Sequence, residues 1–125
     1  MTKKIRVWFE YDVKPGCVDQ LREVAQQQLG WAEDGEPGSL EMNWYLSADE
    51  SRLCTFATEE DMDATWFHSK RQPDNPFAER FAGLVENRRM CMYGPIDEKY
   101  KELMSKAGVE IEYFEWMAGF DRQTG

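Results

Sequence analysis

Ile5, Val7, Phe9, Tyr11 and Val13 alternate with Arg6, Trp8, Glu10 and Asp12, and from Val18 the apolar spacing changes from two residues to three or four. Alternation rich in β-branched and aromatic residues is the pattern of a half-buried strand. Val18, Leu21, Val24, Ala25, Leu29 and Ala32 form one stripe of a helix, with Asp19, Arg22, Glu23 and Gln26 outside it. Between the two stands Lys14-Pro15-Gly16, a turn by its chemistry. A strand whose two faces differ, followed at once by an amphipathic helix, predicts a sheet covered by helices on one side.

The same reading continues along the chain. Gly35-Glu36-Pro37-Gly38 stops the first helix. Leu40, Met42, Trp44 and Leu46 then alternate with Glu41, Asn43 and Tyr45, and after the polar loop 47–51 residues 52–57 form the partner strand of a hairpin. Thr58-Glu59-Glu60-Asp61 has the features of a capped helix start, with Met62 and Trp66 one turn apart behind it. After the interruption at residues 72–76, Asn75 is placed as a cap and Pro76 at the first position of a helix carrying Phe77, Phe81, Leu84 and Val85. Arg88 to Tyr93 is a fourth strand closed by Gly94-Pro95. A last helix with Tyr100, Leu103, Met104 and Ala107 stops at Gly108, and a final strand is expected from Val109 to about Phe120. With no repeat, low-complexity tract or linker, residues 1–125 are expected to form one domain, of which 95–125 are a helix-strand extension. Strand-helix-strand-strand-helix-strand is the α+β, ferredoxin-like plan of an antiparallel sheet with helices on one face.

Composition narrows the function classes. A chain of 125 residues buries roughly two-thirds of its unfolded surface, enough for one core without staples. Its three cysteines, Cys17, Cys54 and Cys91, are widely spaced with no C-x-x-C, which disfavours a disulfide framework or a zinc site and points to a reducing, cytoplasmic setting. The N-terminus lacks the apolar core of a signal peptide, and no window approaches the roughly 20 apolar residues of a spanning helix. A net charge of −9 argues against nucleic acid and against an anionic membrane surface as partners. Five Trp, five Tyr and seven Phe exceed what so small a core requires, and surplus rings belong at interfaces or in ligand cavities. Trp8 and Tyr45, on the face of the sheet away from the helices, predict a homodimer joined through that face.

Several of these segments recur together elsewhere. Val13-Lys14-Pro15-Gly16 before a helix, Glu36-Pro37-Gly38-Ser39-Leu40 before the second strand, Thr58-Glu59-Glu60-Asp61, and Phe77 opening a helix resemble the antibiotic-biosynthesis-monooxygenase-like superfamily of dimeric α/β barrels over residues 5–94. The tail from Pro95 to Ala118-Gly119-Phe120-Asp121-Arg122 resembles an extended branch of it. The resemblance implies two ferredoxin-like protomers packed sheet to sheet, each with a pocket between helices and sheet. It also implies a range of activities that includes cofactor-independent oxygenases of polycyclic phenols, quinol oxygenases and haem-degrading enzymes, so the fold does not choose the chemistry. The haem-degrading branch uses an Asn on the first strand, and a Trp and a His on later helices. Here Phe9 and Phe81 occupy the Asn and His positions and only Trp66 matches. Phe81 cannot ligate iron and Phe9 cannot donate a hydrogen bond, so no haem is expected.

The expected reading is therefore a homodimer that binds a small apolar or aromatic molecule, with cofactor-independent monooxygenase activity on an aromatic or quinol-like compound. The alternative is a non-catalytic ligand-binding or assembly module. His68, the only histidine, is the candidate base; its plain structural role would be to cap a helix C-terminus. Phe9, Tyr11, Asn43, Phe56, Trp66 and Phe81 are the candidate substrate-binding residues, although Phe9, Met42, Trp44, Phe56, Trp66 and Phe81 would serve a core equally well. No metal ligand set and no cofactor motif is apparent: a lone histidine without H-x-x-x-H or H-x-E spacing builds no metal site.

Overall fold

The computed structural model describes residues 2–122. Strand β1 (Ile5–Val13) is followed by helix α1 (Val18–Gly35), the hairpin β2 (Ser39–Leu46) and β3 (Arg52–Glu59), helix α2 (Met62–Arg71), a 3₁₀ turn at Gln72–Asp74, the short helix α3 (Ala78–Ala82), strand β4 (Val85–Tyr93), helix α4 (Glu98–Lys106) and strand β5 (Glu112–Phe114). The sheet runs β2-β3-β1-β4-β5. Its first four strands are antiparallel and β5 joins β4 in parallel. A strand-helix-strand crossover returns the chain in its original direction, so β4-α4-β5 gives a parallel pair in place of the purely antiparallel sheet that the ferredoxin-like plan predicts. No helix among the described residues is long and apolar enough to cross a membrane.

β1 shows how the alternation is used. Its inward residues meet two separate cores. Ile5 and Val7 pack with Met92, Ile96 and Tyr100, whereas Val13 packs with Leu21, Val24, Leu53, Leu84 and Val85. Phe9 and Tyr11 lie between these clusters and are only partly buried. The helix layer thus closes on the sheet at both ends and leaves a gap over the middle of β1.

Local chemistry moves several boundaries. β3 continues through Thr58 and Glu59, which pair with β1 and β2, so the helix starts later than its acidic run suggests. Asp61 is the cap, accepting a 2.9 Å hydrogen bond from the Ala64 N–H. Asn75 accepts from the Phe77 N–H at 2.9 Å, a turn that delays α3 to Ala78 and leaves Pro76 outside it. Val85 belongs to β4 rather than to a helical stripe. The last strand is three residues long, and Val109, Ile111 and residues 115–120 lie outside it.

Among the described residues no helix covers the outer face of the sheet. Trp8, Tyr45, Phe56, Tyr93 and Phe114 stand on it, with Tyr45 58% exposed. Arg89 covers the Trp8 ring at 5.4 Å, and Tyr93 stacks on Phe114 at 5.2 Å. Asp121 reaches back to Arg6 at 3.2 Å and Lys4 at 3.5 Å, which ties the tail to the start of β1.

Met92 is fully buried on the helix side of β4. Met92→Ala is expected to lower stability by about 2–5 kcal/mol through lost burial and a residual cavity. The midpoint of urea unfolding, followed by far-UV circular dichroism, measures this.

Candidate active site

The gap over β1 is a cavity of about 340 Å³, within the size range of small-molecule sites. Its floor is the inward face of β1, β2 and β3, with Phe9, Tyr11, Met42, Trp44 and Thr55. α1 contributes Gln28 and Trp31, α2 contributes His68, and Phe81 of α3 closes one side. The rings are ordered against one another: Phe9 stacks on Tyr11 at 5.8 Å, and Phe81 meets Tyr11 edge-on and Trp44 at a tilt, both at 5.2 Å. Such a surface accepts a flat apolar molecule.

His68 is held from behind. α2 places His68 and Arg71 one turn apart on the same helix face, and both meet Glu36, just beyond the end of α1. The Glu36 carboxylate is 2% exposed. Its Oε1 is hydrogen-bonded to His68 Nδ1, and its Oε2 accepts from Arg71 Nη1 at 2.9 Å. Arg71 also donates to the Trp31 carbonyl at 2.9 Å and lies 3.6 Å over the Trp31 ring. Gly35 permits this approach, because a Cβ there would stand 2.2 Å from the Arg71 guanidinium carbon. With Nδ1 engaged, Nε2 is the imidazole nitrogen left to the cavity.

The charges follow from these contacts. Burial pushes the Glu36 carboxyl up, but the His68 hydrogen bond and charge, with Arg71 and Ser39, outweigh it and hold it below the usual carboxylate range. Burial pulls the His68 imidazole down, while its bond to Glu36 and the charges of Glu36 and Glu59 prevail and raise it. Tyr11 is pushed up to about 12 by burial, with Arg88 opposing, so it stays a phenol whose hydroxyl is free to donate a hydrogen bond and is no base.

Arg88 reaches the cavity through a β-bulge. Glu10 pairs with Arg89 but Asp12 pairs with Glu86, so two residues of β4 oppose Tyr11. Asn87 absorbs the extra residue in the left-handed region (φ 57°) and donates to Asp12 at 2.8 Å. Arg88 then lines the cavity. Among the described residues every other arginine has a carboxylate or a ring for a partner, and Arg88 has neither.

Of the residues singled out in the sequence, the cavity brings together Phe9, Tyr11, His68 and Phe81. Phe56 borders it, but its ring points to the outer face, where it meets Tyr45 edge-on at 5.8 Å. Asn43, opposite Phe56 in the β2–β3 register, also lies on that outer face. Trp66 is two residues from His68 and so about 200° around the helix. It faces α4, meeting Tyr100 edge-on at 5.0 Å and donating to Asp97 at 2.9 Å. Asn43 and Trp66 are therefore corrected, since neither lines the cavity, whereas Phe56 stays on its lining. Glu36, Arg71, Trp31 and Arg88 are functional neighbours that the sequence patterns do not single out. Only Arg71 carries a signal, its three-residue spacing from His68. Among the described residues no group of His, Cys, Asp and Glu is arranged to hold a metal ion.

Removing the Glu36 charge leaves a half-buried Arg71 without its carboxylate, so Glu36→Gln is expected to cost about 1.5–3 kcal/mol. The wild type should also carry a signature in pH. The depressed Glu36 carboxyl contributes stability above its ordinary value of 4.5, lost as pH falls through its folded value. The raised His68 imidazole contributes below its ordinary value of 6.5, lost as pH rises through its folded value. Urea unfolding across pH should show a stability plateau between those ordinary values that is absent in Glu36→Gln.

The sequence matches no family model and no curated protein. Solved structures do match. MupZ from Pseudomonas fluorescens superposes with a TM-score of 0.80 at 14% identity, over 97% of this chain and 96% of that one. A point mutant of SnoaB, a cofactor-independent oxygenase from Streptomyces nogalater, gives 0.64 at 14% identity over 73% and 91%. A protein from Nitrosomonas europaea classed with the antibiotic biosynthesis monooxygenases gives 0.66 at 16% over 78% and 95%. On these superpositions the chain has the antibiotic-biosynthesis-monooxygenase-like fold.

Proposed function

We propose that the chain is a homodimeric enzyme that oxygenates an aromatic or quinol-like small molecule without a cofactor. The observation that carries this reading is the His68 imidazole, fixed through Nδ1 by a buried carboxylate while its other nitrogen is left to a ring-lined cavity. A base so held needs no reorganisation when it takes a hydroxyl proton from the substrate. The electron-rich anion that results supplies the electrons to dioxygen. Arg88, without a carboxylate or ring partner among the described residues, offers its positive charge to that anion, and the Tyr11 hydroxyl offers a hydrogen bond. The fold shared with SnoaB, a cofactor-independent oxygenase, supports this chemistry.

Association of two chains follows from the outer face. Bulky rings set among paired charges on a helix-free sheet form a surface suited to a second copy. Trp8, Tyr45, Phe56, Tyr93 and Phe114 would lie in the shared layer, and the cavity on the other side of the sheet would be undisturbed.

Oxygen uptake with hydroquinone-type and polycyclic phenol substrates tests the activity. His68→Ala is expected to abolish uptake with stability near that of Glu36→Gln, and Arg88→Ala to raise KM with the fold unchanged. Uptake that persists in His68→Ala removes the base from the mechanism, and a wild type that binds such rings without uptake is a binding module. Sedimentation should give a dimer at micromolar concentration, shifted toward monomer by Phe56→Glu.

A further inference from the structure

The chain carries 24 acidic side chains, yet among the described residues neither Asp nor Glu lines the cavity. Glu36 and Glu59 stand behind the lining, bridged by the Ser39 hydroxyl at 3.3 and 2.7 Å. Two groups able to carry positive charge, His68 and Arg88, do face the space, with rings and amides between them. A small anion entering here meets no carboxylate at the wall, a local exception in an acidic protein.

His68 and Arg88 belong to opposite ends. His68 is bound to Glu36, which lies against Ser39; Ser39 pairs with Glu59, and Glu59 with Ile5 of β1. Arg88 stands opposite Tyr11 across the bulge, and its charge bears on the Tyr11 hydroxyl. Six residues of strand lead from Ile5 to Tyr11, about 20 Å of β1, and the two side chains reach into that interval from either end. The bulge gives Arg88 its direction. Met92 and Met90 pair with Val7 and Phe9 on the helix side, and Val85 pairs with Val13 on the same side. Strict alternation cannot turn both Met90 and Val85 to one face. The added residue at Asn87 lets Val85 fill the core while Arg88 keeps the cavity side.

We propose that the cavity takes an aromatic hydroxy acid: its rings lie over Phe9 and Tyr11, its hydroxyl faces His68, and its carboxylate is held at the rim by Arg88 and the Tyr11 hydroxyl. The place of the hydroxyl rests on the oxygenase reading, and that of the carboxylate on Arg88. Arg88 is exposed, so the charged end of the ligand keeps part of its water while the rings enter, and burying it costs little. A guanidinium fork matches a planar monoanion through two parallel hydrogen bonds. No second fixed cation stands beside Arg88 on the lining, so a carboxylate fits there better than a phosphate dianion. Arg88 thereby selects the acid and turns its hydroxyl inward, toward the base.

Calorimetric titration with 6-hydroxy-2-naphthoic acid and with its methyl ester tests this, because the two share rings and hydroxyl and differ in one charge. The acid is expected to bind the wild type at least about tenfold more tightly than the ester near neutral pH. Added salt should narrow that advantage. Arg88→Gln should bring the acid down to the affinity of the ester and leave the ester where it was. Arg88→Lys should recover part of the preference, since the charge remains and the fork is lost. His68→Ala should keep the preference, because that side chain meets the hydroxyl that both compounds carry. An acid that does not bind, or an ester that binds as well as the acid, overturns the proposal. So does a preference that survives in Arg88→Gln, or one that is lost in His68→Ala alone, which puts the carboxylate at the other end. Should Arg88→Gln fail to fold, the acid–ester ratio of the wild type and its salt dependence decide. Binding is read without turnover, so the two readings fail separately. An Arg88-dependent preference for the acid without oxygen uptake removes the oxygenase and keeps the acid site. Uptake with uncharged phenols and no preference for the acid does the opposite.

Discussion

The carboxylate of Glu36 binds three parts of the molecule to one another. It follows α1 directly, grips His68 and Arg71 on α2, and lies 3.3 Å from the Ser39 hydroxyl at the start of β2. An ion almost wholly removed from water is tolerable only if its lone pairs are used and its charge is matched, and here both oxygens are engaged and the guanidinium of Arg71 is in contact. The arrangement fixes the height of α2 above the sheet. That height keeps the space over Phe9 and Tyr11 open instead of letting the helix layer settle on it. A pair of apolar residues in place of Glu36 and Arg71 would give comparable stability but would leave His68 free to turn. The ion pair therefore serves orientation more than stability.

The two faces of the sheet divide the remaining work. On the inner face, β1 supplies residues to one core, then to the cavity, then to the other core, so the cavity is bounded by well-packed material at both ends. A bulge in β4 sends Arg88 into this space without breaking the pairing on either side, at the cost of one left-handed residue, Asn87. On the outer face, charges are paired across strands, as Arg52 with Glu10 and Arg89 with Glu112. Rings stand between them. Paired charges and rings together are what a surface needs if it is to be covered without stranding an ion.

The strands and long helices are legible in the sequence because a sheet face and a helix stripe impose different periods on apolar residues, and β1, α1 and β2 show those periods without interruption. Where the sequence misleads, local chemistry competes with register. Thr58-Glu59-Glu60-Asp61 satisfies the rules of a helix start, yet strand pairing with β1 and β2 claims Thr58 and Glu59 and leaves Asp61 to cap. Trp66 and His68 both have the chemistry of cavity residues, but two residues on a helix point to opposite sides. Asn43 suits a pocket by residue type, although alternation along its strand assigns it to the other face, so that error is avoidable. Glu36 is not recoverable at all: in Gly35-Glu36-Pro37-Gly38 it has the form of a solvated turn, and only the arrival of α2 from a distant part of the chain buries it.

Acidity, the plainest property of the chain, has two meanings here. Most of its 24 Asp and Glu side chains keep a ring-rich protein in solution. Glu36 and Glu59 do the reverse, since they lie in the interior where each ionisation is felt by the other and by the one histidine. Two carboxylates joined by a single hydroxyl, with only one arginine against them, cannot both stay charged at low cost once His68 is neutral.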